Sequence, residues 1–307
     1  MIKVAVIGNG TQSKRIQKIL KKLKYAFLIY KPSNKKQNNI LNFEKIKKCN
    51  VIFICSPNNS HIDYIKKLNL NRFIFCEKPP VSKIKDLNYL KKLNAKKIYF
   101  NYNFRFLKIS EILSNLKRYK LGKLIYANII TTKGLAAKKE YKNNWRADKK
   151  KCPKGVFEMV SIHILDLINF FFKVRKIHNL NLFNFSNVGN GFDTSEVKLE
   201  LENKAIVNIF SSYYAPLYKG WLMIFDNGMI KLENNKIEIR GPRNNFDKNG
   251  LFAPPKIIKA FNISATKDYN NSLFKSVFYF LNKCKKNSNF SRQHYKTSLD
   301  SNLLILR

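Results

Sequence analysis

The sequence predicts an α/β domain with a doubly wound parallel sheet, followed by an α+β domain with a large, open-faced and mostly antiparallel sheet. Two observations predict this. The first hundred residues alternate short apolar runs with helical patterns, as parallel strands joined by helices do. Beyond about residue 124, several segments alternate apolar and polar residues, as strands with one buried face do. We assign residues 1–102 to the first domain and 103–307 to the second, whose C-terminal helix can pack back on the first.

In the first domain, apolar runs predict strands at residues 2–7, 25–30, 51–55, 72–76 and 97–100. Helical patterns run from a glycine turn to about residue 23, then over 60–68 and 83–93. In the second domain, strands are expected at 124–132, 195–201, 205–213, 221–225 and 229–232, with a hairpin turn at Asn227-Gly228. Helices are expected at 155–172, 271–284 and 297–306, with a loop over 244–255.

The chain is strongly basic, with 59 Lys and Arg against 19 Asp and Glu and a net charge of +40. Proteins that read DNA bases rely on the planar fork of Arg, but here Lys far outnumbers Arg and the basic residues are spread along the whole chain. Lys, Asn and Ile are abundant together, as in proteins from A+T-rich genomes. We therefore expect no nucleic-acid partner, while attraction of anionic substrates or cofactor phosphates remains open.

The five cysteines predict neither a disulfide framework nor a metal site, because their number is odd and no C-x-x-C pair occurs. We expect a reducing, cytoplasmic location, no bound metal and no signal peptide. Because no run of about 18 apolar residues occurs, we also expect no membrane span.

A glycine turn separates the first strand from the first helix. Residues 6–13 read Val-Ile-Gly-Asn-Gly-Thr-Gln-Ser, with Ser13 where a dinucleotide-binding G-x-G-x-x-G turn has its third glycine. Gly8 allows the tight turn and Gly10 lets the backbone approach a pyrophosphate, while the helix amides that begin at Thr11 and Gln12 meet the negative charge. The turn therefore predicts a site for NAD or NADP.

The second strand ends without the acidic residue that usually holds the ribose hydroxyls of NAD. Instead, Lys31 and Ser33 suit a 2′-phosphate, which gives a slight preference for NADP. A solvated surface lysine explains Lys31 equally well.

Two polar loops follow the third and fourth strands, and ligands of open α/β sheets bind at the carboxyl ends of the strands. We therefore predict that both loops contact the cofactor. The first loop contains Ser56, Pro57, Asn58 and His61, and the second is Glu77-Lys78-Pro79-Pro80.

The helix predicted over residues 155–172 carries a candidate acid–base pair. His163 and Asp166 are three residues apart and share one face among apolar neighbours. A lone histidine on such a helix is usually a core residue, but the nearby carboxylate and the polar loops favour a functional one.

Together these motifs resemble the glucose-fructose oxidoreductase / inositol dehydrogenase / rhizopine catabolism (Gfo/Idh/MocA) family, over essentially the whole chain. The resemblance implies a Rossmann domain followed by an open-faced sheet domain that forms a homo-dimer or tetramer through its sheet. The matching motifs are the glycine turn at 8–13, Ser56-Pro57-Asn58 with His61, Glu77-Lys78-Pro79, Asn103-Phe104-Arg105-Phe106, Trp145-Arg146 and the Gly155, His163 and Asp166 helix.

The resemblance also implies hydride transfer between a nicotinamide and a secondary alcohol of a sugar-like substrate. Lys78 matches the catalytic-site lysine, which would stabilise a developing alkoxide, and its bond to Pro79 is implied to be cis. His163 matches the general acid/base, since a neutral imidazole can accept an alcohol proton near pH 7. Substrate contacts are expected from Asn103, Arg105, Trp145, Arg146 and His163, where Arg105 and Arg146 suit a carboxylate, a phosphate or sugar hydroxyls and are equally explained as surface ion pairs.

One position departs from the family pattern, in which many members have Asp four residues before the histidine. Here that position is Met159. Glu158 is one residue off and, at about 100° per residue of α-helix, points about 140° away from His163. Asp166 is then the expected partner that orients His163, and Lys78 is the alternative base if His163 cannot act.

Three hypotheses follow for the function. The leading one is NAD(P)-dependent oxidation or reduction of a sugar or sugar derivative, for example a nucleotide sugar for surface polysaccharide. The second keeps NAD bound and uses transient oxidation for epimerisation or glycoside cleavage. The third is a non-catalytic nucleotide-binding or regulatory relative, which Met159 and Ser13 favour. The enzymatic hypotheses require Lys78 and His163 to serve the same nicotinamide ring.

Overall fold

The computed structural model describes residues 2–31, 38–68, 70–93, 95–243 and 246–307. Two compact units divide the chain, the first comprising Met1–Asn103 with Ser272–Arg307 and the second Phe104–Asn271. The sequence places the boundary after residue 102, and the structure assigns the last segment of the chain to the first unit.

Strands and helices alternate in the first unit, whereas strands dominate the second. The described strands are β1 (Val4–Ile7), β2 (Phe27–Tyr30), β3 (Val51–Ile54), β4 (Phe73–Glu77), β5 (Ile98–Asn101), β6 (Leu124–Thr132), β7 (Val174–Phe183), β8 (Thr194–Leu201), β9 (Ile206–Ser212), β10 (Tyr218–Phe225), β11 (Gly228–Glu233), β12 (Lys236–Arg240) and β13 (Ile257–Asn262). The described helices are α1 (Thr11–Lys22), α2 (Asn38–Lys47), α3 (His61–Lys67), α4 (Ile84–Leu93), α5 (Lys108–Ser114), α6 (Leu116–Tyr119), α7 (Ile162–Phe172), α8 (Ala265–Lys285) and α9 (Arg292–Leu306).

The first unit contains a parallel sheet with the strand order β2-β1-β3-β4-β5, which confirms the predicted doubly wound α/β fold. Its three inner strands, β1, β3 and β4, and its edge strand β5 are buried along their whole length. These strands are almost continuous apolar runs because both of their faces are buried. The ring of Phe280 on α8 lies 5.2 Å from that of Phe53 and 5.3 Å from that of Phe75, so α8 covers one face of this sheet.

The second unit contains a sheet with the order β13-β12-β11-β10-β6-β9-β8-β7. Within the described strands, β6 and β9 pair in parallel and all other neighbours pair in antiparallel fashion, which confirms the predicted open-faced sheet. Alternate residues of β8 and β9 are fully buried, namely Val197, Leu199, Val207 and Ile209. The predicted hairpin is also present, since Phe225 of β10 pairs with Gly228 of β11.

The helix predicted over residues 155–172 is α7 preceded by a π-helical turn at Phe157–Ser161. Gly155, at its start, has φ +53°, and a Cβ there would lie 1.8 Å from the carbonyl oxygen of Phe192. Only glycine fits this position. The turn packs on the sheet through Ser161, whose Oγ donates to Ser211 Oγ at 2.9 Å. Among the described helices, none is long and apolar enough to cross a membrane.

Candidate functional site

The glycine turn of the first unit is shaped by close contact with the end of β3. Gly8 has φ +111°, and its N–H donates to the carbonyl oxygen of Tyr30 at 2.9 Å. A Cβ at Gly8 would stand 2.4 Å from the carbonyl oxygen of Cys55. Both the backbone conformation and the lack of space therefore require glycine at this position.

Gly10 is a different case, because neither its backbone conformation nor its described neighbours require glycine. It precedes α1 with φ −74° and ψ −178°, an extended conformation open to any residue. A Cβ at Gly10 would have no atom of the described structure within 4 Å. The open space beside Gly10 adjoins the amino terminus of α1, whose first turn holds no acidic residue. That combination suits the close approach of an anion.

Ser13 fills the position of the third glycine without blocking the turn. Its side chain is fully buried, and its Oγ donates to the carbonyl oxygen of Gly8 at 2.8 Å. Gln17 Nε2 in turn donates to Ser13 Oγ at 3.0 Å. The serine thus fastens α1 to the glycine turn, so the departure from G-x-G-x-x-G leaves the shape of the turn intact.

The loop after β3 is joined to the loop after β4 by His61. No part of His61 is exposed, and its ring nitrogens lie 2.9 Å from two backbone oxygens, Nδ1 from that of Pro79 and Nε2 from that of Ser56. Burial lowers the pKa of His61, against the opposite effect of the two carbonyl groups. This placement gives His61 a role in holding the loops, and its direct contact with a cofactor stays a prediction. Ser56, Pro57 and Asn58 lie at the carboxyl end of β3, as predicted for a cofactor loop.

Glu77 and Lys78 lie at the carboxyl end of β4. Glu77 is buried and its Oε1 accepts hydrogen bonds from Asn101 Nδ2 at 2.7 Å and Gln12 Nε2 at 3.1 Å. Burial raises the pKa of the Glu77 carboxyl, although both amide donors and the Lys78 charge oppose this. Lys78 is half-buried and its bond to Pro79 is cis. The structure thus links the glycine turn, through Gln12, to the loop that carries Lys78.

Four further predicted positions belong to the first unit, and the structure describes three of them. Thr11 begins α1 and is exposed, and Lys31 is exposed at the end of β2, while Ser33 lies outside the described residues. Asn103 is buried, and its Nδ2 donates to Ser272 Oγ at 2.8 Å.

In the second unit, His163 lies on α7 and is half-buried. Its ring stacks on Phe104, with the ring centroids 4.4 Å apart and the planes inclined by 19°. The π-helical turn directly before α7 changes where the preceding side chains point. Ile162 N–H donates to the carbonyl oxygen of Phe157, which is the i→i+5 bond of a π-helix. Such turns occur frequently at functional sites.

The π-helical turn corrects the angle expected between Glu158 and His163. Five steps lead from Glu158 to His163, four of them π-helical at roughly 80° each and one α-helical at about 100°. The two side chains are therefore separated by about 420°, which is about 60° beyond a full turn. The expected 140° assumed an α-helix throughout. Met159 is packed against an apolar cluster that includes Val160 and Tyr213.

Asp166 and Arg105 form a buried ion pair. Arg105 Nε donates to Asp166 Oδ2 at 2.8 Å, Nη2 donates to Oδ1 at 2.5 Å, and their side chains are 2% and 0% exposed. This geometry gives both residues a structural role, while the predicted roles, in which Asp166 orients His163 and Arg105 contacts the substrate, stay predictions. The alternative for Arg105, an ion pair at the surface, is wrong because the ion pair is buried.

Arg146 is half-buried beside an exposed aromatic ring, and its contact with the substrate stays a prediction. Its guanidinium lies 4.5 Å from the ring centroid of Trp145, which is 39% exposed, and Nη1 donates to Asn144 Oδ1 at 3.3 Å. Arg146 also hydrogen-bonds Tyr213, and burial raises the pKa of that phenol far above its usual range. In the described part of the chain, no group of three or more His, Cys, Asp or Glu could hold a metal ion.

Sequence reasoning missed two polar residues that hold the predicted loops. Asn101 follows the predicted strand at 97–100, so its place at the carboxyl edge of the sheet was a usable signal. Asn302 accepts a hydrogen bond from Val81 N–H at 2.9 Å, across 221 residues of sequence, and no local pattern marks it.

The glycine turn at the carboxyl edge of a parallel sheet defines a dinucleotide-binding domain, and comparisons with known proteins agree. Residues 2–100 match a family described as "Oxidoreductase family, NAD-binding Rossmann fold", and residues 110–244 match the "GFO/IDH/MocA C-terminal domain". The chain belongs to the Gfo/Idh/MocA family of NAD-binding oxidoreductases.

Solved structures of low sequence identity share the fold. A myo-inositol dehydrogenase from Corynebacterium glutamicum is 19% identical with a TM-score of 0.70, and the match covers 99% of this chain and 94% of that one. An oxidoreductase from Agrobacterium radiobacter, in complex with NAD+, L-tartaric acid and magnesium, is 15% identical with a TM-score of 0.74 and the same coverage. A levoglucosan dehydrogenase in complex with NADH is 12% identical with a TM-score of 0.73, covering 99% and 96%. A search of curated proteins finds no match.

The ion pair of Arg105 and Asp166 gives a test of its structural role. Arg105→Leu leaves the Asp166 carboxylate buried without its bidentate partner, so we expect the free energy of unfolding to fall by about 3–5 kcal/mol. In the double variant Arg105→Leu/Asp166→Leu, most of this loss should be recovered because no charge stays buried. Urea unfolding of the single and double variants measures both values, and equal losses in the two would contradict a mutual, structural role.

Proposed function

We propose that the protein is an NAD(P)-dependent dehydrogenase that transfers a hydride between the nicotinamide and a secondary alcohol or ketone of a sugar or sugar derivative. The proposal is supported by contacts between loops of the first unit. The loops after three adjacent strands, β1, β3 and β4, are joined at the carboxyl edge of the sheet by Gln12, Glu77 and His61. Open α/β sheets bind their ligands at this edge, where the strand order changes direction.

The residues of the glycine turn fit a dinucleotide. Gly10 offers open space and exposed backbone, and α1 directs the positive end of its dipole toward that space. Thr11 and Gln12 contribute the first amides of the helix, whose partners cannot lie within the helix itself. Ser13 supports the turn from inside. These features favour a functional cofactor site and weaken the argument from Ser13 for a non-catalytic relative.

The choice between NAD and NADP depends on the end of β2. Lys31 is exposed there, while Ser33 lies outside the described residues. The matched family is NAD-binding, and two of the similar structures contain NAD+ or NADH. The comparisons thus do not support the slight preference for NADP, and we propose NAD with NADP as the alternative to be measured beside it.

We propose that Lys78 and His163 carry the chemistry on the substrate. When bound, the nicotinamide supplies the hydride acceptor or donor. Lys78 Nζ would hold the substrate oxygen and stabilise negative charge on it. A ring nitrogen of His163 would accept the alcohol proton during oxidation and return it during reduction. The stacking on Phe104 fixes the plane of the imidazole.

Glu158 is the carboxylate that we propose to assist His163 in place of Asp166. The π-helical turn brings it to within about 60° of the histidine's direction on the helix. Asp166, in contrast, binds Arg105 through both carboxylate oxygens. A nearby negative charge favours the protonated imidazole, and so would strengthen His163 as a base.

We propose that Arg146 and Trp145 contact the substrate. Arg146 combines a planar cation with a half-exposed aromatic surface, which suits sugar hydroxyls or an attached carboxylate or phosphate. The named activities of two similar structures, on myo-inositol and levoglucosan, support a polyol or sugar. We also propose a nucleotide sugar for surface polysaccharide as one candidate substrate.

We also propose that the protein forms a homo-oligomer, a dimer or tetramer, through the open face of the second unit's sheet. On that face, Ile130 of β6 pairs in register with Phe210 of β9, and both are only half-buried. Leu222 of β10 extends the same apolar surface beside Asn128. A second copy that covers this face would remove the apolar area from water.

The enzymatic proposal is tested by turnover with a panel of sugars, polyols and nucleotide sugars. Wild-type protein should oxidise or reduce at least one of them, with NADH or NADPH followed at 340 nm. Lys78→Ala and His163→Ala should each lower kcat by about 10²-fold or more, because each removes a group that acts on the transition state. Glu158→Gln should lower kcat by about tenfold and shift its pH profile.

Lys83→Ala removes an exposed lysine close to the same loop and serves as the control, with wild-type kcat expected. Turnover without net change of the cofactor would favour the redox-neutral alternative. Cofactor binding without any turnover would favour the non-catalytic relative, and the lack of cofactor binding would end all three hypotheses.

Gly10 gives a sharper test of the cofactor site. Gly10→Ala should leave the free energy of unfolding close to that of wild type, because its Cβ meets no atom of the described residues within 4 Å. NADH affinity should fall by about tenfold or more, because the methyl group occupies the space that the pyrophosphate needs. Fluorescence titration and urea unfolding give the two values. Gly8→Ala, which places a Cβ 2.4 Å from Cys55 O, should instead destabilise the fold, and unchanged NADH affinity in Gly10→Ala would refute the assignment.

The oligomer is tested by light scattering after size-exclusion chromatography. Phe210→Glu places a charge in the apolar centre of the open face, so the variant should elute as a monomer. Leu217→Glu makes the same kind of change at a residue that is 81% exposed in the loop before β10, and should keep the wild-type mass. A monomeric wild type, or an oligomer that survives Phe210→Glu, would contradict this interface.

A further inference from the structure

The segment Glu77–Val81, here called the lysine segment, lies at and beyond the end of its strand and offers few N–H donors of its own. Strand β4 ends at Glu77, so the ladder of sheet hydrogen bonds stops one residue before Lys78. Pro79 and Pro80 have no N–H to donate. Side chains that reach the segment from other elements therefore help to hold it in place.

His61 ties the lysine segment from α3. Its Nδ1 lies 2.9 Å from the carbonyl oxygen of Pro79, the residue that follows Lys78, and its Nε2 lies 2.9 Å from that of Ser56. The ring is fully buried, so water does not compete for these oxygens. A neutral imidazole donates from one nitrogen and a charged one from both, so in either state at least one loop is held through an N–H.

Asn302 ties the same segment from α9. Its side chain is fully buried, and its Oδ1 accepts the Val81 N–H at 2.9 Å. Asparagine is a poor residue for the interior of a helix, and burying its amide is unfavourable unless hydrogen bonds compensate. Its place among buried apolar residues such as Leu304 and Ile305 is therefore explained by the bond to Val81 and by no property of the helix.

A third tie holds the start of the segment. Asn101 and Gln12 both donate to Glu77 Oε1, as described above. Residues 77, 79 and 81 are thus fixed by side chains from β5, α1, α3 and α9. Lys78 lies between two fixed residues, with its side chain half-buried. The backbone from which the Lys78 side chain projects can therefore move little without breaking one of these bonds.

We infer that His61 and Asn302 are positioning residues that hold Lys78 in its working direction. Asn302 fixes the lysine segment alone, whereas His61 fixes both that segment and the cofactor loop at Ser56. This inference rests on the proposed role of Lys78. Loss of either tie should lower kcat by about tenfold to 10²-fold, the effect of a displacement on the order of 1 Å at a reacting group. Only His61 variants should also raise KM for the dinucleotide.

The positioning role of His61 and Asn302 is tested by steady-state kinetics combined with hydrogen exchange on the intact protein. The variants are Asn302→Leu and His61→Phe, which remove the ties at similar volume, and Asn302→Ser and His61→Gln, which are milder. Ser298→Ala is the control, since Ser298 Oγ is buried on the same helix but donates to His294 O within that helix. A peptide over residues 77–82 has only the amides of Lys78, Val81 and Ser82 beyond its first residue, so Val81 contributes about a third of its exchange, and comparison of peptides that begin at Lys78 and at Val81 isolates it.

In Asn302→Leu we expect faster exchange of Val81 and a lower kcat, with dinucleotide KM within about twofold of wild type. In His61→Phe we expect a lower kcat and a higher dinucleotide KM, partly restored in His61→Gln because its amide can donate to one carbonyl. If a leucine or phenylalanine variant does not fold, the milder variant at that position decides by the same two readouts.

Three results would overturn the inference: wild-type kcat in both Asn302 and His61 variants, unchanged exchange of Val81 in the Asn302 variants, or an equal loss of kcat in Ser298→Ala. Failure of the proposed function is recognised separately. In that case wild-type protein neither binds NADH nor turns over any substrate, while the exchange of Val81 still reports whether Asn302 holds the lysine segment.

Discussion

The carbonyl oxygen of Cys55 lies where the first side-chain atom of any residue but glycine would stand at position 8. This contact brings the turn after β1 directly against the end of β3, at the place where the sheet's connections diverge toward β2 on one side and β4 on the other. The start of α1, the open space beside Gly10 and the bond from Gln12 to Glu77 all follow from it. A residue larger than glycine at position 8 would separate the turn from β3 and disturb each of these features.

Local patterns predicted the parts of the fold that local physics determines. Strand β6 has the predicted bounds because its nine residues alternate clearly, and the glycine turn was recognised because its conformation requires glycine. Helix α2 was missed, since residues 38–47 are rich in Asn and Lys and show only a weak apolar periodicity. Strand β13 is largely exposed, and its pairing with β12, rather than its sequence, makes it a strand.

The candidate site was predicted in its residue types but less well in their partners. Arg105, Asp166 and His61 were chosen for their chemistry, and sequence alone could not show which of them face other protein groups. Burial of Arg105 and Asp166 would be strongly unfavourable for either alone, so each stabilises the other across 61 residues. The angle expected between Glu158 and His163 assumed an α-helix, because a π-helical turn leaves no clear mark in the sequence.

We propose that the edge of the first sheet near Gly8, Gly10 and Lys78 binds the dinucleotide. A crystal structure of the protein with NAD+ is the decisive measurement. The pyrophosphate should lie within hydrogen-bond distance of the backbone at Gly10 and the first turn of α1, with the nicotinamide beside Lys78 Nζ. A dinucleotide bound elsewhere on the protein, or one whose nicotinamide lies away from Lys78, would contradict it.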